Sequence, residues 1–155
     1  MLSNNDIRMS KIISKTVKKI SRKFKIGFYS SHFLHGPPER LTIGKRVALA
    51  NTLFNTRSGK IVIGDGVIFG HNVMVLTGVH DIHLEGSEER RITLVDDARD
   101  IYIKNGAWIA SGVIITGPVT IGENSVIGSG SVVVKDIPDS VLAVGNPARV
   151  VKKIK

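Results

Sequence analysis

From Ile103 to Ile137 one side-chain pattern returns every six residues, a period that neither an α-helix nor a simple strand can produce. Ile103, Ile109, Ile115, Ile121, Ile127 and Val133 hold the first place of successive hexads. Ala107, Val113, Val119, Ser125, Ser131 and Ile137, all small or β-branched, hold the fifth. An amphipathic helix repeats near 3.6 residues and a half-buried strand near 2. Six fits a short strand followed by a corner, with one aliphatic side chain pointing inward from each flat side. Three such sides close a triangular coil, so equivalent corners return every 18 residues. Stacked coils bury an aliphatic ladder and pair their strands with those of the neighbouring coil. Second positions include Ala110, Gly122 and Gly128, where glycine is expected to relieve crowding at the corner. Six hexads in phase argue against an antiparallel sheet with frequent turns. The period predicts an all-β chain wound as a parallel β-helix.

The same phase recurs upstream. Ile63, Phe69 and Val75 take the first place, Val67, Val73 and Val79 the fifth, and Gly64 and Gly70 the second. A weaker set starts at Ile43-Gly44, continues with Leu49-Ala50 and slips by two residues before Ile63. Phase is lost after Val79 and regained at Ile103. The charged stretch between them predicts an excursion loop over 80–100 that projects from the solenoid, and function concentrates on such loops. The expected organisation is a basic N-terminal segment over 1–40, a β-helix over 41–138 and a C-terminal tail over 139–155.

Composition narrows the chemistry. The 155 residues contain no cysteine, which excludes disulfides, zinc–thiolate sites and a cysteine nucleophile and fits a reducing cytoplasm. Of the net charge of +9, residues 1–40 carry +7, nine Lys/Arg against Asp6 and Glu39. A polyanion argument concerns that segment alone, and no nucleic-acid partner is expected for the rest. No run of about 18 apolar residues predicts a membrane span, and Ile12-Ile13 is too short for a signal-peptide apolar region; a cytoplasmic protein is expected. Ile13, Val17, Ile20 and Phe24 form one stripe of a predicted basic helix, which Ser10 caps. The stripe suits either packing against an open solenoid end or attraction to an anionic membrane surface through residues 1–25.

His80 stands where the coil gives way to the excursion, an anchored place for a catalytic group. A neutral imidazole can take the proton of a hydroxyl as that oxygen attacks a thioester. His71, His80 and His83 lie close in sequence, but their spacing does not supply a zinc site, and no metal is expected.

The chain resembles the hexapeptide-repeat acyltransferases, in particular the maltose/galactoside acetyltransferase-like branch and the O-acetyltransferases that modify capsule or lipopolysaccharide. The resemblance runs from Ile43 to Lys153. It rests on Thr77-Gly78-Val79-His80-Asp81, on Ala107-Trp108-Ile109-Ala110-Ser111, and on the run from Val126 to Pro138. Gly145-Asn146-Pro147-Ala148-Arg149 completes the set. It implies a left-handed β-helix and transfer of an acetyl group from acetyl-CoA to a sugar or glycan hydroxyl in surface polysaccharide biosynthesis. Transfer to a nucleotide-linked amino sugar or an antibiotic-type acceptor is the alternative, and a non-enzymatic assembly module a third. His80 corresponds to the general base, and Ser111, Ser129, Val134, Lys135 and Arg149 to contacts of acetyl-CoA. Ser111 and Ser129 are 18 residues apart and should stack at one corner as a groove for the pantetheine arm. Asn51, Asp81 and His83 are the candidates toward the acceptor, with Asp81, Glu88 or Glu89 to orient the imidazole. Val134 stands where the family often has Thr, and Ser129 where it often has Ala. The family is usually a homotrimer with each site between two subunits.

Overall fold

A computed structural model describes residues 32–93, 95 and 98–154. The stripe of the basic segment, and the membrane-surface reading placed on residues 1–25, lie outside the described residues. Among those residues, strands β1–β15 run His32–His35, Leu41–Ile43, Ala48–Ala50, Thr52–Asn55, Ile61–Ile63, Ile68–His71, Met74–Leu76, Ile101–Ile103, Trp108–Ile109, Ile114–Thr116, Val119–Ile121, Val126–Ile127, Val132–Val133, Val141–Gly145 and Ala148–Lys153. Among the described residues one α-helix, α1, spans Ser87–Ile92, and a 3-10 turn spans Pro38–Arg40.

Every third strand pairs. The first sheet is β1-β4-β7-β10-β13, the second β2-β5-β8-β11, and the third β3-β6-β9-β12-β14-β15. All pairings are parallel except β14 with β15, which turns back antiparallel. The chain is thus a three-sided β-helix, as the six-residue period predicts. Parallel pairing begins at His32↔Thr52 and ends at Ala143 against Ile127.

The core is the ladder of first-position side chains. Ile103, Ile109, Ile115, Ile121, Ile127 and Val133 are all fully buried or nearly so, each such side chain stabilising the fold by about 1.5–3 kcal/mol relative to exposure. Phe54 and Phe69 fill the wider coils edge to face, 5.9 Å apart. Serine is tolerated at buried fifth positions because its hydroxyl is satisfied locally. Ser125 Oγ donates to the Gly122 carbonyl at 2.7 Å and Ser131 Oγ to that of Gly128 at 2.6 Å.

Two kinds of glycine shape the corners. The left-handed backbone falls in fourth place, at Gly66, Gly106, Gly112 and Gly130, and at Arg46, Asn72 and Asn124 where no glycine is present; in the irregular early coil it falls at Asn51, one place earlier. The second-position glycines serve close approach instead: a Cβ on Gly70 would lie 2.5 Å from the Ser111 nitrogen of the next coil.

Each corner also hands a side-chain acceptor backward. Asp65 Oδ1 accepts the Lys45 N–H at 2.7 Å and Asn105 Oδ1 that of Asp65 at 2.9 Å. Asp100 Oδ1 accepts from Lys60, Asp136 Oδ1 from Thr120 and Asp139 Oδ1 from Glu123, each at 2.7 Å. These bonds satisfy main-chain donors that the short strands leave unpaired.

Candidate active site

The coils differ most at one corner, the passage from the first sheet to the second. Register places Ile61 eight residues after Leu53 and Val119 five after Ile114, whereas Ile101 follows Met74 by twenty-seven. The excursion is this corner enlarged, and His80 sits at its start.

Its stem is clamped. Thr77 is buried, and its Oγ1 donates to the Asn55 carbonyl at 2.8 Å while accepting the Ser58 N–H at 3.2 Å. The Val79 N–H donates to Ser58 Oγ at 3.3 Å. Arg99, just before β8, donates from Nε to the Thr77 carbonyl at 3.0 Å and ties the two ends of the excursion together. Gly78 lies against the Asn55 side chain, and a Cβ there would sit 2.6 Å from its amide, which would have to shift. With these restraints the backbone delivers the imidazole from fixed ground.

His80 Nδ1 lies 3.4 Å from the Thr93 carbonyl, beyond the end of α1. A carbonyl only accepts, so this contact calls for the tautomer with the proton on Nδ1 and the lone pair on Nε2. The group facing Nδ1 is a main-chain carbonyl. Of the acidic side chains considered for that place, Asp81 Oδ1 accepts the His83 N–H at 2.8 Å and Glu88 pairs with Arg91 at 2.8 Å. His80 opens into a cleft of about 330 Å³ shared with His35, Asn55, Arg57 and Arg91.

Ser111, Ser129 and Arg149 lie along a different corner. The Gly130 N–H donates to the Ser111 carbonyl at 3.0 Å, which sets Ser129 one coil beyond Ser111, both exposed. Gly128 donates to the Ala143 carbonyl, and Val144 pairs with Arg149 on β15. The 18-residue stacking predicted for the serines is thus present, with the arginine one step further along the axis. Ser111 has a second task, since its Oγ accepts the His71 N–H at 3.1 Å. Val134 and Lys135 are exposed after β13, at the corner that bears His80 but two coils on. Across the width of the first sheet, one chain does not bring His80 together with the serines.

Asn51 is not in the His80 cleft. It occupies a left-handed corner, donates from Nδ2 to Asn72 Oδ1, and borders a separate apolar cleft of about 440 Å³ with Phe33, Leu53 and Met74. Asp81 and His83 lie beyond His80 in the excursion, outside the residues that line the cleft. The asparagine beside His80 is Asn55, with His35 opposite it in register. Sequence reasoning missed Asn55, His35 and Arg57 because the lengthened corner hides their alignment; the twenty-residue spacing of the early coils was the signal that could have found them. Among the described residues no group of three or more His, Cys, Asp or Glu is placed to hold a metal, and none of the helices could cross a membrane.

Residues 100–135 match the family model described as bacterial transferase hexapeptide (six repeats). The solved maltose O-acetyltransferase of Clostridium difficile 630 is 36% identical, with a TM-score of 0.60 over 81% of this chain and 67% of that one. A galactoside acetyltransferase solved with coenzyme A is 34% identical, with a TM-score of 0.64 over 81% of this chain and 66% of that one. The galactoside O-acetyltransferase of Escherichia coli K12 is 36% identical over 76% of this chain and 59% of its own length. This chain spans between 44% and 67% of the first curated relatives that it matches. The repeat, the coil pairing and these likenesses agree, and the chain belongs to the hexapeptide-repeat acetyltransferases, similar to the galactoside and maltose O-acetyltransferases.

Proposed function

We propose that this chain transfers the acetyl group of acetyl-CoA to a sugar hydroxyl, with His80 as general base. The observation that carries the reading is the clamped stem of His80 and the Nδ1 contact to Thr93, which leave Nε2 with the lone pair. In the step, the sugar oxygen bonds to the acetyl carbon as its proton passes to Nε2. The carbon–sulfur bond then breaks, and CoA leaves as the thiol, taking that proton back. A main-chain N–H steadies the oxyanion between the two events. Acetyl-CoA is held along the corner of Ser111, Ser129 and Arg149, where the arginine meets its phosphates, and Lys135, on the corner of His80, reaches them from a neighbouring copy.

The separation of that corner from His80 favours a homotrimer, in which one copy completes the site of the next. Outward apolar side chains support it: Phe33 and Met74, exposed, and Leu53, Ile114 and Val132, half-buried, align on the outer face of the first sheet, and the exposed Ile68 and Trp108 on that of the third. A role in surface polysaccharide synthesis, with residues 1–25 against an anionic membrane, belongs to the same reading. Vesicle sedimentation with and without those residues tests the membrane contact.

Because the chain has no cysteine, a thiol reagent reads released CoA without background from the protein. Incubation with acetyl-CoA and a panel of glycosides should release CoA and give an alkali-labile ester; an alkali-stable amide would mark an amino-sugar acceptor instead. His80→Ala should slow turnover about 10²–10⁴-fold and still bind acetyl-CoA. Full turnover by that variant would remove His80 from the mechanism.

A further inference from the structure

The polar groups around His80 are unusual for a neutral sugar. Arg57, Arg91, His35 and His80 line the cleft with Asn55, and no carboxylate does. An arginine donates and never accepts, so apart from Asn55 and the imidazoles the polar side chains of this wall offer only N–H groups. A neutral glycoside, whose hydroxyls must both donate and accept, leaves such donors poorly used. A carboxylate or phosphate accepts only, and a guanidinium fork matches its geometry.

The two arginines are available for such a group. The main chain of Arg57 is held on both sides, its N–H donating to Asn55 Oδ1 at 3.0 Å and its carbonyl accepting from Arg40 Nη1 at 3.0 Å. Its guanidinium forms no ion pair among the described residues. Arg91 pairs with Glu88 three residues earlier on α1, but both side chains are more than two-thirds exposed. Such a pair is weak in water and yields to an anion that binds both arginines.

We infer that the acceptor carries a negative charge: a glycoside bearing a carboxylate or a phosphate, held by Arg57 and Arg91 with its hydroxyl toward His80. This rests on the acetyl-transfer reading and adds the substrate class. The test compares matched acceptors under saturating acetyl-CoA: a methyl glucuronide against the methyl glucoside, and a methyl galactoside 6-phosphate against the methyl galactoside. kcat/KM should favour the charged member of at least one pair by about tenfold or more, and added salt should erode the preference through KM. The pair that responds tells carboxylate from phosphate. Arg57→Gln and Arg91→Gln should each cut the charged-to-neutral ratio about tenfold, as expected for loss of one partly screened charge-assisted bond, and Arg57→Lys should restore some of it. Neutral acceptors used equally well or better, or a ratio unmoved in both glutamine variants, would overturn the inference and leave acetyl transfer standing. No transfer to any of the four would instead overturn acetyl transfer to glycosides and the inference with it.

Discussion

The coils from Ile101 onward and those before Leu76 are built from the same strands yet do different work. Among the later coils a full turn takes 18 residues, from Ile101 to Val119; among the earlier ones it takes 20, from Leu41 to Ile61. The corner between the first and second sheets is three residues longer in the early coil, and the corner from the third sheet to the first is one shorter. Where corners are short and identical, small side chains stack into a groove along the axis, as Ser111 and Ser129 do. Where they lengthen, successive turns cannot superpose, and the gaps between them form the cleft around His80. Regularity stacks the serines, and departure from it opens the cleft.

If that division of labour holds, chemistry and stability should fail in different halves. The largest effect belongs to His80→Ala, whose 10²–10⁴-fold loss of kcat should come with an unchanged melting curve, because the side chain is exposed. Ile121→Ala, in the regular half, should lower stability by about 2–5 kcal/mol, read as an earlier midpoint in urea, while the fraction that remains folded keeps its turnover. Gly78→Ala should fall between them. The new Cβ meets only the amide end of Asn55, which can shift, so kcat should drop about tenfold from misplacement of His80 with little change in melting temperature. A large stability loss without a kinetic one would place Gly78 in the scaffold. Arg99→Ala removes one hydrogen bond worth about 1 kcal/mol; faster amide exchange around Thr77–Val79, with the ladder from Ile109 to Val133 unaffected, would show that the clasp acts locally. The smallest effect concerns Asp139. The Glu123 N–H first, and then Lys104, hold its carboxyl below the usual value. Its contribution is therefore present above the ordinary carboxylate range and fades as pH falls through the lowered value. Asp139→Asn should flatten that acid limb of the stability curve.

What the sequence made legible tracks this same division. The hexads from Ile103 to Val133 disclosed strand, corner and core because each inward position repeats without error. The stacking of Ser111 on Ser129 followed by counting. His80 was visible because it marks the point at which counting fails. Beyond that point no period remained to align Asn55 with the excursion, and Asn51, nearer to the expected phase, drew attention that its left-handed corner explains. The Thr93 carbonyl had no signature at all, since a main-chain acceptor can be any residue. Ser125 and Ser131 were legible as small fifth-position residues, but the bonds by which their hydroxyls close onto glycine carbonyls three residues back carry no sequence signal.

The corner acceptors have a consequence for how the chain is made. Each bond runs from a main-chain donor to a side chain that the ribosome adds later: Lys45 waits for Asp65, and Asp65 for Asn105, forty residues downstream because the excursion intervenes. During synthesis, which delivers the N-terminal residues first, every newly wound coil carries unmet donors on its leading edge until its successor arrives. The interval is longest across the excursion. A growing chain is thus most exposed, to water and to its neighbours on a polysome, just after the residues that form the acceptor cleft have emerged.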